Sequence, residues 1–206
     1  MNNINLLKFF FLFVIFGCAP NVVEEKRIIQ KINSLDMNVF SKTGDKIYSI
    51  TSSDSKYDKI KLVFNLKKTT INIFNGKDIK YIVNADSSRL LDKNKIVELK
   101  GNVKLRSLNQ NDYLYGDKLT WNINESKYEL LGNVRFENAN VFLYSNKAIL
   151  RKDNIIEFFN PVKYIMKDDN NKEKYEINAE NAFYNIDKES LSFRAKDKKV
   201  RSIIYF

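Results

Sequence analysis

Five times along the chain an apolar residue is followed two places on by a small residue, and at plus five and plus seven by residues that are mostly small or apolar. The copies are Ile50/Ser52/Ser55/Tyr57, Val83/Ala85/Ser88/Leu90, Leu114/Gly116/Leu119/Trp121, Leu143/Ser145/Ala148/Leu150 and Ile177/Ala179/Ala182/Tyr184. Their starts lie 33, 31, 29 and 34 residues apart, a period that marks stacked supersecondary units. Between the copies runs a second pattern, with strict alternation: Val97-Leu99-Gly101-Val103-Leu105, Tyr128-Leu130-Gly132-Val134-Phe136 and Ile156-Phe158-Asn160-Val162-Tyr164. Polar residues such as Glu98, Lys100, Glu129, Arg135 and Lys163 fill the gaps. Alternation of this kind predicts half-buried strands.

The first pattern carries a geometric oddity. A step of two keeps side chains on one face of a strand, and the middle step of three flips the face. Both pairs face inward only if a bulge or corner absorbs one residue. The residues there tolerate turns: Ser53-Asp54, Asp86-Ser87, Asp117-Lys118, Asn146-Lys147 and Glu180-Asn181. Each unit therefore reads as strand, corner, strand, short loop and return strand. Small residues at plus two, and glycine in the return strand, suit a place where two sheets approach closely. The expected fold is all-β: a V-shaped, stacked sandwich of repeated antiparallel strands over residues 39–206, favoured over a closed barrel.

Composition narrows the chemistry. The 206 residues contain no His, one Cys and no P-loop signature. That removes the usual Ser and Cys triads, most zinc sites and intrachain disulfides. The pair Asp168-Asp169 has too few partners for calcium. We expect no enzyme activity, no metal and no cofactor. The net charge is +10, but the lysines are scattered and form no Arg-rich patch, so nucleic acid is not an expected partner.

The N-terminus changes the picture more. Residues 1–18 read MNNINLLKFFFLFVIFGC. The apolar run from Phe9 to Phe16 is too short to span a bilayer, which takes about 20 residues, and fits the core of a secretory signal. It ends in Ile15-Phe16-Gly17-Cys18, which resembles a bacterial lipobox. The resemblance implies cleavage before Cys18, acylation of its thiol and a stable lipid anchor. Residues 1–17 are then a signal peptide. Residues 18–38 are a membrane tether, within which VVEEKRIIQKI has weak helical character.

The segments KIVELKGNVKLRS and YLYGDKLTWNINESKYELLGNVRF resemble the repeats of the OstA-like β-jellyroll superfamily. DKIYSITSSDSKYD and IKYIVNADSSRLLDKNKIVELKGNV are most similar to the LptC family of lipopolysaccharide export. A lipobox stands where the better-known members keep a transmembrane helix. The resemblance implies a periplasmic protein, held at the inner membrane through Cys18, that takes lipopolysaccharide from an ATP-driven transporter and passes it to an LptA-like jellyroll. The acyl chains would run along an apolar interior. The inward residues expected to line it are Leu99, Val103, Leu114, Leu119, Trp121, Leu130, Val134, Phe136, Leu143, Leu150, Phe158 and Val162. Lys104, Arg106 and Arg135 are candidates for lipid phosphates. The apolar terminal stretch with Ile203, Ile204 and Tyr205 is the expected docking edge, since strand addition needs an open edge. The alternative is a structural envelope lipoprotein on the same repeat, with no transfer role.

Overall fold

The computed structural model describes residues 28–108, 110–159, 161–195 and 199–205. They form fourteen strands and no helix. Eight long strands come first: β1 (Ile29–Phe40), β2 (Lys46–Asp58), β3 (Val63–Asn75), β4 (Asp78–Leu91), β5 (Ile96–Ser107), β6 (Tyr113–Asn122), β7 (Lys127–Asn138) and β8 (Val141–Leu150). Each pairs antiparallel with the next. Six short strands follow: β9 (Ile155–Phe159), β10 (Val162–Lys167), β11 (Glu173–Ala179), β12 (Asn181–Asn185), β13 (Ser190–Arg194) and β14 (Arg201–Ile204).

A corner runs as a line across the whole sheet. The register skips Ser34 opposite Ser53 between β1 and β2, and Ser53 opposite Lys68 between β2 and β3. It breaks again at Asn84/Ser87, Lys100/Val103, Tyr115/Lys118 and Leu131/Val134. The line divides each strand between two leaves. Leaf A holds 46–52 of β2, 69–75 of β3, 78–85 of β4 and the corresponding halves onward; leaf B holds 54–58, 63–67, 87–91 and their successors. The odd middle step of the repeat is this corner. In the first four copies the residues at zero, plus two and plus five are all buried, and the residue at plus three is exposed at Ser53, Asp86, Asp117 and Asn146.

The return strands make the corner by backbone sign. Gly101 and Asn102 have φ of +77° and +46°, and Gly132 and Asn133 have +75° and +46°. Each Asn donates its side-chain N–H to the aspartate of the preceding strand, Asn102 to Asp86 and Asn133 to Asp117, both at 2.8 Å. A Cβ on Gly101 or Gly132 would stand 2.4 Å from that aspartate's Oδ2. Glycine is thus required by the left-handed turn and the tucked carboxylate, not by close approach of two sheets as the sequence suggested. Where the third return strand has Asn160-Pro161 in place of Gly-Asn, the strand splits into β9 and β10. Proline cannot donate to the ladder, which suits a break.

From there the sheet forks. β8 pairs through its leaf A half with β10, which pairs β11, which pairs β14. Its leaf B half pairs β9, then β12, then β13. The sheet does not close into a barrel: β1 at one end and β13 and β14 at the other each have one strand neighbour among the described residues. One expected boundary changes. From residue 29 the expected tether is strand β1, and no helix forms there, because Leu35, Met37 and Val39 alternate inward at period two and pack on the core. The expected signal peptide, lipobox and lipidated Cys18 lie outside the described residues.

Candidate functional site

The interior lies between the two leaves. It is built by alternation: every second residue of each half-strand points inward, and the apolar ones merge into a single cluster from Tyr48 to Ile186. All twelve expected lining residues are in it, with exposures of 3% or less. The leaves meet through aromatic rings. Tyr48 of leaf A stands edge-on to Trp121 of leaf B at 5.2 Å, and Tyr81 to Tyr128 at 5.9 Å. Phe136 of leaf A touches Phe158 at 6.0 Å and Tyr184 at 4.6 Å, both of leaf B. Such pairs add specificity to the area they bury. Burial pushes the hydroxyls of Tyr48, Tyr81 and Tyr128 well above the ordinary phenol range, so they are neutral and serve as core.

These contacts show that the leaves are sheared. β2 of leaf A faces β6 of leaf B, β4 faces β7, and β7 faces β9 and β12. Leaf A therefore runs past leaf B at the C-terminal end. There β10 still meets β13, through Tyr164 and Phe193 at 5.4 Å. The inward Ile177 of β11 is only partly covered, and Ile204 of β14 is 52% exposed.

A cavity of about 190 Å³ opens just inside this end, lined by Phe136, Asn138, Val141, Leu143, Tyr164, Tyr184, Glu189 and Leu191. Of the twelve expected lining residues it reaches Phe136 and Leu143; the others are packed against one another. Tyr164 and Tyr184 belong to the repeat patterns but were not among the expected lining residues, and Leu191 was in neither. A polar cluster stands at the rim. Asn138 donates to both the Asp112 carboxylate and the Tyr184 hydroxyl. Asp112 is 4% exposed, and its Oδ2 has no hydrogen-bond partner among the described residues. Burial pushes this carboxyl up to about 6, with Glu189 adding to the rise and Asn138 opposing it.

The expected docking strand is at the edge of the fork. β14 pairs β11 on one side, and Tyr205 donates its backbone N–H to the Lys174 carbonyl at 3.0 Å. Its other side has no strand neighbour among the described residues. Ile203, Ile204 and Tyr205 are exposed by 39%, 52% and 43%. Lys104, Arg106 and Arg135 point away from the interior, over Tyr113 and Tyr115. Asp168 caps its own turn by accepting from Asn170 and Lys172, and no metal-binding group of side chains occurs among the described residues.

The family model for "Lipopolysaccharide-assembly, LptC-related" matches residues 17–141, more than half of the chain. The chain belongs to the LptC-related family. Its members are components of lipopolysaccharide transport in the periplasm, and this chain is such a component. Among solved structures, the LptC-related chain is similar to LptH of Pseudomonas aeruginosa, described as the LptA homologous periplasmic component of the lipopolysaccharide transport device. The identity is 15%, the match covers 61% of this chain and 94% of that one, and the TM-score is 0.49. No curated protein matches the chain.

Proposed function

We propose that this LptC-related protein conducts the acyl chains of lipopolysaccharide between its two leaves and delivers them across β14 to an LptA-like jellyroll. The observation that carries this is the interior itself: one continuous apolar cluster that ends in a cavity whose β10 wall lies two strands from an open, apolar edge. In the middle units the leaves are packed together, so passage there requires them to part. At the C-terminal end a chain enters without that step. Acyl chains gain about 25 cal/mol per Å² on leaving water, yet they start in a membrane. The interior then needs only modest affinity, and an ATP-driven transporter at the inner membrane sets the direction. A lipidated Cys18 holds the protein to that membrane. We read the protein as a carrier with no catalytic role.

Photo-crosslinking tests the path. In a reconstituted transporter, a photoreactive residue at Tyr164 or Leu191 should form a lipopolysaccharide adduct that grows with ATP, and one at the outward Thr120 should not. Silence at every inward position would overturn transfer and favour the structural lipoprotein. Palmitate labelling of the chain and of Cys18→Ala tests the anchor separately.

A further inference from the structure

The outer face of leaf A carries a row that the interior does not use. Register places Lys104, Tyr115, Arg135, Tyr144, Lys163, Asn178 and Arg201 directly across from one another, one on each of β5, β6, β7, β8, β10, β11 and β14. Cations and tyrosines alternate, then an amide precedes the last cation. Inward residues flank each of them along its strand, so the row points away from the apolar core. Over it lies a groove of about 460 Å³, lined by Tyr115, Arg135, Tyr144, Lys163, Asn146 and Asn178 among others.

The chemistry of this groove is specific. Tyr115 and Tyr144 are two strand spacings apart, about 9.6 Å; cations already flank the Tyr115 ring, and the Tyr144 ring, 38% exposed, is the one open to a ligand. The Arg135 guanidinium lies 4.4 Å from the Tyr115 ring and is held by Glu137 at 3.2 Å. Lys163 is held by Glu176 at 3.1 Å. These pairs present oriented donors and acceptors together, as hydroxyl-rich ligands need. Lys104 and Arg201, at the two ends of the row, form no ion pair among the described residues and remain for anionic groups. The outer groove on leaf B, about 350 Å³, contrasts with it: charged side chains such as Lys56, Lys67 and Arg89 line it and no aromatic ring does.

We infer that the outer groove of leaf A binds an acidic saccharide, with a sugar ring stacked on Tyr144, hydroxyls on the amides and the Glu-paired cations, and carboxylates reaching Lys104 and Arg201. A concave groove that sets an open aromatic ring among amides and paired cations fits a chain of sugars better than a flat membrane surface. It crosses the strands on a sheet face, where an added peptide strand has no backbone partner. The site is separate from the cargo path.

Calorimetry on the full chain reconstituted in zwitterionic nanodiscs tests it, with an oligogalacturonide, a neutral maltooligosaccharide of the same length, polyphosphate and anionic phospholipid vesicles as probes. The oligogalacturonide should bind tightest. Tyr144→Ala should weaken it about tenfold, the scale of one stacked aromatic contact, while Tyr144→Phe retains most of the affinity. Lys163→Gln should weaken it about threefold at low salt and less at high salt. These residues lie at the surface, and unchanged thermal unfolding would show the variants folded. Equal binding of polyphosphate or vesicles, with no loss in Tyr144→Ala, would reduce the groove to a charged patch and overturn the proposal. Absence of oligogalacturonide binding, or equal binding of the neutral sugar, would overturn it too. Preloading with lipopolysaccharide should leave oligogalacturonide binding in place. Its loss would make the groove part of the cargo path, against a separate site, without bearing on transfer through the interior.

Discussion

β5 to β7 cross the corner unbroken, and the residues they turn inward are sealed: Leu99, Leu119, Leu130 and Phe136 are exposed by 1% or less. Past β8 the same repeat continues, yet the strands break at the corner, the leaves diverge, and Tyr164, Ile177 and Phe193 are only partly covered. The inward chemistry of the two regions is alike. They differ at the corner, where Gly-Asn under an aspartate holds the two half-strands together in one and a proline separates them in the other. Packing in this fold is governed by the few residues that set the bend, and the open end follows from what replaces them.

The largest test of that contrast is truncation of inward rings. Phe136→Ala should cost about 4 kcal/mol, the range for a buried Phe with aromatic neighbours. Tyr164→Ala at the open end should cost about 1–2 kcal/mol, because its site is already partly solvated. Urea unfolding of both variants checks the ratio, and equal losses would mean that the end is packed as tightly as the middle.

The rim cluster gives the next effect, through pH. Unfolded, Asp112 ionises near pH 4; folded, it holds its proton up to about 6. The folded state binds the proton more tightly, so the group favours folding below about pH 4, and that contribution is lost as pH rises through 6. The full span is about 3 kcal/mol at most. Asp112→Asn should therefore raise the melting temperature at pH 7.5 and change little at pH 4, read by calorimetry at both pH values.

Gly132→Ala breaks the middle corner itself. A positive φ and a Cβ directed at Asp117 should together cost about 2 kcal/mol, measured by denaturant midpoint. The smallest effect is Asp117→Ala, at about 1 kcal/mol for one partly exposed hydrogen bond. In that background Gly132→Ala should become cheaper, since the side chain it meets is gone, and a double-mutant cycle reads the coupling.

Much of this was legible in the sequence. Alternation identified the inward side of every middle strand, since side-chain direction is a local property of a strand. The step of three located the corner for the same reason. The glycines were assigned to sheet approach because backbone sign and the tucked aspartate depend on a neighbouring strand. β1 was missed because residues 29–34 mix polar and apolar residues without alternation, and the strand is specified by its pairing with β2. The shear between the leaves, and with it the position of the cavity, depends on contacts between distant strands that no local pattern encodes. The outer row of Tyr115, Arg135, Tyr144 and Lys163 was invisible for a related reason: its members are far apart in sequence and are aligned only by register.

The shear also has a consequence for the order in which the chain is made. Tyr48, Tyr81 and Phe136 meet the rings that cover them 73, 47 and 48 residues later. As the chain emerges, each new stretch of leaf A stays uncovered until a later stretch of leaf B arrives. Long-range closure of this kind slows folding and leaves apolar strands exposed meanwhile. The interval in which apolar strands stand open therefore ends only when residue 184 and its neighbours have arrived to cover Phe136.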